Sequence, residues 1–160
     1  MKKILFVYYS FEGNTEFAAQ TAASATEMDV ERLVPVKEPP KKGFGKFFWG
    51  GQSVMMHKTP ALEPLRFDAA DYENIIIGFP VWAGSFPPAV ATYVKDHKPE
   101  GKSCYIVACS AGGDAAKAIK KLTEALSGNT VVDTLSLRDP AKDKEANAKI
   151  ITGFISKNFG

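Results

Sequence analysis

Five short apolar runs alternate with segments of helical spacing along this chain, and that alternation constrains its fold more than any other feature. The runs are residues 3–9, 30–34, 74–78, 102–109 and 130–137. The first, ending at Tyr9, is unbroken, which suits a central parallel strand covered on both faces. Residues 16–25 carry Phe17, Ala18, Thr21, Ala22 and Ala25 at helical spacing, small enough overall to lie close on a sheet. Pro87 and Pro88 suit the first turn of a second helix, with Val90, Tyr93 and Val94 as its stripe. Ala115, Ile119, Leu122 and Leu126 mark a third, closed by Gly128. Asp139 as N-cap and Pro140 at the first helical position open a last helix, whose core face reads Ala146, Ile150, Phe154 and Ile155. Such alternation predicts an α/β domain, in which right-handed crossovers place helices on both faces of a five-stranded parallel sheet. At 160 residues and 45% hydrophobic content, one domain spanning residues 1–160 can bury a single core.

Charge and cysteine usage exclude several classes. A net charge of +2 does not suit a nucleic-acid binder. Cys104 and Cys109 lie within an apolar run rather than at metal-ligand or disulfide-framework spacing, which predicts a reduced, cytoplasmic protein. The opening Met-Lys-Lys has a signal-like charge, but its apolar run ends at Tyr9, too short for a signal core, and no run reaches a membrane-spanning length. His57 and His97 have no partners at ligand spacing, so neither a metal nor a catalytic role is assigned to them.

Residues 35–64 interrupt the pattern with prolines, glycines and the aromatics Phe44, Phe47, Phe48 and Trp49. A short helix around 44–56 is weakened by Gly50 and Gly51. Between Pro35 and Pro60, Lys37, Lys41, Lys42, Lys46 and Lys58 stand against Glu38, a local charge of +4 that leaves the rest of the chain at −2. Such a run reads either as a solvated loop or as a docking surface, and the aromatics as satellite core, a dimer contact or a ligand cover.

In a parallel α/β sheet, ligands bind beyond the carboxyl ends of the strands. Three strands here end in stretches rich in glycine, proline or hydroxyl residues, so one site built from three loops is expected. After the first strand come Ser10, Phe11, Glu12, Gly13, Asn14 and Thr15, leading into a helix. Free N–H groups at a helix start, its dipole and the Ser10 and Thr15 hydroxyls make a phosphate seat without a cation in the turn. The spacing is neither Gly-x-Gly-x-x-Gly nor a P-loop, so a mononucleotide fits better than a dinucleotide or triphosphate. Pro80, Val81, Trp82, Ala83 and Gly84 follow the third strand and can set an aromatic face against a flat ring. Ser110, Ala111, Gly112 and Gly113 follow the fourth and offer backbone groups with no bulky side chain. Each stretch also has a structural reading: helix cap and turn for the first, packing for Trp82, inert burial for Cys109.

Ser10-x-x-Gly13-Asn14-Thr15, Pro80-x-Trp82-x-Gly84 and the Ser-x-Gly-Gly turn at Ser110 together resemble the flavodoxin family, over essentially the whole chain. The resemblance implies a three-layer sandwich with strand order 2-1-3-4-5 and FMN held non-covalently at the strand ends. By that resemblance residues 10–15 hold its phosphate, 80–84 line the isoalloxazine and 110–113 contact its polar edge. Three departures stand out. Glu12 occupies a place where many flavodoxins have threonine, and its carboxylate must turn from a dianion. Residues 110–116 lack the tyrosine that commonly covers one flavin face, leaving Phe86, Phe48 and Trp49 as candidate covers. The segment after the second strand is basic where flavodoxins are typically acidic, which would attract an anionic partner and ease flavin reduction.

Two functions follow as expectations. The preferred one is a flavodoxin-type electron carrier serving a redox partner protein or small acceptor, as a monomer or weak homodimer. The alternative is an FMN-dependent oxidoreductase taking hydride from NAD(P)H and passing electrons to a quinone or similar acceptor. Neither needs a catalytic side chain, because the flavin does the redox chemistry. A flavin-free interaction module is the weakest reading, since the phosphate turn retains every feature it needs.

Overall fold

The computed structural model describes residues 3–37, 59–112 and 115–160. Five parallel strands, β1 (Ile4–Tyr8), β2 (Asp29–Arg32), β3 (Asn74–Pro80), β4 (Ser103–Ser110) and β5 (Thr130–Arg138), form one sheet in the order β2-β1-β3-β4-β5. The chain steps outward from β1 to β2, then returns past β1 to β3, so the strand order reverses beside β1. That reversal opens a crevice above the carboxyl ends of β1 and β3.

Four helices among the described residues cover the sheet: α1 (Asn14–Ala25), α2 (Pro88–His97), α3 (Ala116–Ala125) and α4 (Lys144–Phe159). Leu5, Val7, Ile75, Ile77 and Ile106 face α2 and α3, meeting Val90, Tyr93, Ala118 and Leu122. Ile4, Phe6, Ile76 and Val107 face the other way, onto Ala18, Ala19 and Ala22 of α1 and Ile151, Phe154 and Ile155 of α4. Successive side chains alternate between faces, so a strand sandwiched by helices must be apolar at every position, as β1 and β3 are. Ile75, Ile76 and Ile77 are completely buried, each contributing roughly 1.5–3 kcal/mol from apolar burial.

α1 rides close to the sheet because its contact residues are alanines and because Gly78 leaves a notch in β3. A Cβ at Gly78 would lie 2.8 Å from Phe6 Cε1 and 3.0 Å from Thr15 Cγ2. The contact face is Ala18, Ala19 and Ala22; Ala25 is exposed, and Phe17 and Thr21 lie at the margin, a rotation from the expected stripe.

The last helix departs further. Asp139 does not cap it: Asp139 adopts φ +37°, and Pro140–Lys142 form a separate 3₁₀ turn. α4 starts at Lys144, capped by Asp143, whose Oδ1 accepts from the Ala146 N–H at 3.3 Å. Ala146 and Ile150 are exposed, while Ile151, Phe154 and Ile155 pack on the sheet. Ile150 and Ile151 are adjacent and face different ways; the sheet takes the one that shares a row with Ile155.

At the β2 edge, Pro35 and Leu62 form an antiparallel bridge, with Val36 N–H donating to the Ala61 carbonyl at 2.9 Å and Glu63 N–H to the Val34 carbonyl at 2.7 Å. The chain therefore leaves and rejoins the sheet at one place. The lysines from Lys41 to Lys58, the aromatics Phe44, Phe47, Phe48 and Trp49, and the helix expected at 44–56 lie outside the described residues. Phe86 packs against Phe79 with ring centroids 6.5 Å apart, as part of the core margin.

Candidate functional site

Ser10 is where β1 stops pairing and the chain turns upward. Gly13, at φ +101°, takes the left-handed conformation that an L side chain resists, and α1 begins at the next residue. The Ser10 Oγ accepts from the Glu16 N–H at 3.1 Å, so this hydroxyl satisfies one helix-start N–H and keeps its own hydrogen for another acceptor. The Asn14 carboxamide ties the turn to the far end of the sheet: its Oδ1 accepts from the Ala141 N–H at 3.0 Å, and its Nδ2 makes a long 3.5 Å contact with the Asp139 carboxylate.

Thr15 follows in the first turn of α1, 1% exposed, and its hydroxyl lacks a well-formed hydrogen bond. Its contact with the Cys109 thiol is a weak one. Burial pushes that thiol up to about 11, with the Thr15 hydroxyl pulling it back and the Asp139 charge adding to the rise. Cys104 is likewise buried and pushed up to about 11, so neither cysteine is a thiolate near neutral pH.

The second loop is a tight reversal. Trp82 and Ser85 exchange two backbone hydrogen bonds of 2.9 Å, with Ala83 and Gly84 both at positive φ (+49° and +69°), the signature of a type I′ turn. The Val81 N–H donates to the Cys109 carbonyl at 2.8 Å, locking this loop to the end of β4. The Trp82 ring stands edge-on to Tyr9 and Phe11, at 5.5 and 5.4 Å between centroids. Trp82 thus joins an aromatic wall with Tyr9 and Phe11, rooted in the apolar core.

These loops enclose a cleft of 390 Å³. Of the residues expected from sequence, Ser10, Phe11, Glu12, Asn14, Thr15, Pro80, Val81, Trp82, Ala83, Ser110 and Ala111 line it. Gly13 and Gly84 shape their turns without lining the cleft; Gly84 backs onto the Lys117 side chain instead. Gly112 is exposed beside it, and Gly113 lies outside the described residues. Cys109 and Asp139 complete the lining. Asp139 is the residue that sequence reasoning missed as part of the site. Its N–H donates to the Ser110 carbonyl at 3.1 Å and its carboxylate meets Lys142 Nζ at 3.2 Å, so it ties the third loop to the 3₁₀ turn that follows β5. Its position directly after a strand was the available signal, because β5 ends on the same edge as β1, β3 and β4. Among the described residues no cluster of three or more His, Cys, Asp or Glu could hold a metal ion, and no helix is long and apolar enough to cross a membrane.

A reversed-order parallel sheet, with an anion-seating helix start and an aromatic-walled cleft above its carboxyl edge, defines the doubly wound nucleotide-binding class. The sequence model of the family described as Flavodoxin matches residues 3–150, and the chain belongs to that family, whose cofactor is FMN. No curated protein matches the sequence significantly. Among solved structures, the fold is similar to a flavoprotein from Lactobacillus acidophilus in complex with FMN (TM-score 0.76, 21% identity, covering 91% of this chain and 98% of that one). It is also similar to oxidised flavodoxin 2 from Bacillus cereus (0.60, 18%, 96% and 94%) and to an NADPH-quinone reductase from P. pentosaceus (0.61, 14%, 100% and 100%). At these identities the likeness speaks for the fold.

The residues present fit FMN. The buried, underused Thr15 hydroxyl and the N–H groups at the start of α1 suit its phosphate, and the Trp82 wall suits a flat ring. Ser110 and Asp139 also line the cleft, with polar groups that suit a polyol.

Proposed function

We propose that this protein holds FMN non-covalently in the cleft and serves as a flavodoxin-type electron-transfer protein. The observation that carries this reading is Thr15: a buried hydroxyl without a well-formed bond, at a helix start, inside a cleft that also has an aromatic wall. A fold without a ligand here gains nothing from such a group.

When bound, FMN supplies the redox chemistry through its isoalloxazine. The chain's own part is to bind and orient. The residue 10–15 turn meets the phosphate with backbone N–H groups and the Ser10 and Thr15 hydroxyls, while Glu12, at the exposed rim, contributes its backbone. Asp139 and Ser110 would offer acceptors to the ribityl hydroxyls. Trp82, Pro80, Val81 and Ala83 give the ring an apolar seat, which excludes water from one side of it. No side chain in the cleft has to move a proton.

A second reading, an FMN-dependent NAD(P)H oxidoreductase, is favoured by one feature. Ala111 and Gly112 are exposed and bring no ring over the third loop, which suits a flavin face accessible to hydride. Purified protein should be yellow, and gentle denaturation should release FMN. Anaerobic NADPH or NADH that leaves the visible absorbance intact supports the carrier; rapid bleaching decides for the oxidoreductase. Colourless protein that fails to take up FMN overturns both.

A further inference from the structure

The anion seat has no cation of its own, yet a guanidinium lies directly behind it. Arg32, the last residue of β2, pairs in register with Tyr8 of β1. Its Nη2 donates to the Ser10 carbonyl at 3.3 Å, and its Nη1 is 3.4 Å from the Glu16 carboxylate. Residues 10 and 16 are the two ends of the turn, already joined to each other by the bond from the Glu16 N–H to the Ser10 Oγ.

The strand pairing fixes what this grip does. The Tyr8 carbonyl accepts from the Leu33 N–H on the β2 side, at 2.7 Å, while the Tyr9 N–H donates to the Gly78 carbonyl on the β3 side, at 3.1 Å. A trans peptide points its C=O and N–H in opposite directions, and the pattern repeats every second residue along a strand. The peptide joining Ser10 to Phe11 lies beyond the last of these ladder bonds, and its carbonyl is held instead by the Arg32 side chain, which stands off the same face of the sheet as its register partner Tyr8. Its N–H therefore points away from Arg32.

We propose that Arg32 is a positioning residue for the anion seat: by holding the Ser10 carbonyl and Glu16 together from behind, it aims the Phe11 N–H into the cleft as a phosphate donor. The inference rests on the FMN reading above. The side chains of Arg32 and Glu16 are 42% and 37% exposed, so the pair adds little to stability by itself. Its effect is on the orientation of the turn, and it serves only a ligand that carries a phosphate.

The test compares FMN with riboflavin, which has the same ring and polyol but no phosphate. Apoprotein is titrated with each by calorimetry, as wild type, Arg32→Gln and Arg32→Lys, and the Phe11 amide resonance is followed during titration with inorganic phosphate. Arg32→Gln is expected to weaken FMN about tenfold, leave riboflavin within about twofold and shrink the phosphate-induced shift of the Phe11 amide. Arg32→Lys should recover only part of the loss, since one ammonium cannot reproduce the planar two-pronged contact. Unchanged FMN affinity in Arg32→Gln, an equal loss for both ligands, or full recovery by lysine would each overturn the proposal. A wild-type protein that binds FMN no tighter than riboflavin defeats the underlying reading instead, before any variant is compared.

Discussion

The Thr15 hydroxyl lets stability and binding be separated at a single atom. Thr15→Val keeps the shape and removes a buried oxygen that lacks a well-formed bond. The unliganded variant should be as stable as wild type or up to about 1 kcal/mol more so, while FMN binds about tenfold more weakly. Urea denaturation and FMN titration check the two halves, and a drop in both would mean that the hydroxyl holds the fold. Ala83 sits at φ +49° in the type I′ turn, a conformation that costs an L residue about 1–2 kcal/mol. Ala83→Gly should raise stability by roughly 0.5–1 kcal/mol after the extra entropy of unfolded glycine is offset, measurable as a higher melting temperature. Cys104 and Cys109 keep their protons until about pH 11 in the folded chain but release them near their ordinary 9.0 when unfolded. Their contribution to stability is therefore full below pH 9 and falls as pH rises from there to about 11. Denaturation midpoints across that range test the sign, and a cysteine-to-alanine variant should show a shallower fall. Most of the cleft was legible residue by residue because each strand-end loop announced itself by glycine, proline or hydroxyl chemistry. Asp139 was hidden by its neighbour: Asp-Pro reads as a helix cap, which masked the signal of its place directly after a strand, and its positive φ marks a residue turned to another use.

Elements were read with uneven success, for a physical reason. Central strands buried on both faces, such as β1 and β3, leave an unbroken apolar signature, so their existence followed from the alternation alone, while their order came from the family resemblance. β3 and β4 ran further than expected, to Pro80 and Ser110, because pairing with a neighbour continues there, whereas β1 stopped one residue short of the expected Tyr9. Helix faces were harder. α4 offers both Ile150 and Ile151, and nothing local chooses between them; the sheet makes the choice. Phe154→Ala should accordingly cost about 3 kcal/mol or more, while Ile150→Gln, at a residue 49% exposed, should stay within about 0.5 kcal/mol in urea denaturation. A comparable loss at Ile150 would place that side chain in the core after all. The basic, aromatic stretch beyond the second strand was illegible from the start, since its prolines, glycines and lysines follow no period to which an element can be assigned.

For the molecule as a whole, a ligand that binds only the folded chain shifts the unfolding equilibrium by mass action. FMN at one hundred times its dissociation constant should add about 2.7 kcal/mol and raise the melting temperature by roughly 5–10 °C, with riboflavin at the same concentration giving a smaller rise. Equal shifts from the two would show that the phosphate end of the cleft adds nothing. The missing side chain at Gly78 has a bearing on design that reaches past packing. Two of the cleft's loops hang from β3 and β4, whereas its other side is carried by the start of α1, which rests on the sheet. Phe6 and Thr15 settle into the Gly78 notch, so a single methyl group there would press on both and act as a shim under the helix start. Residue 78 is thus a height adjustment for the site, and fitting the cleft to a longer or shorter mononucleotide would start in the middle of a strand, with every loop left as it is.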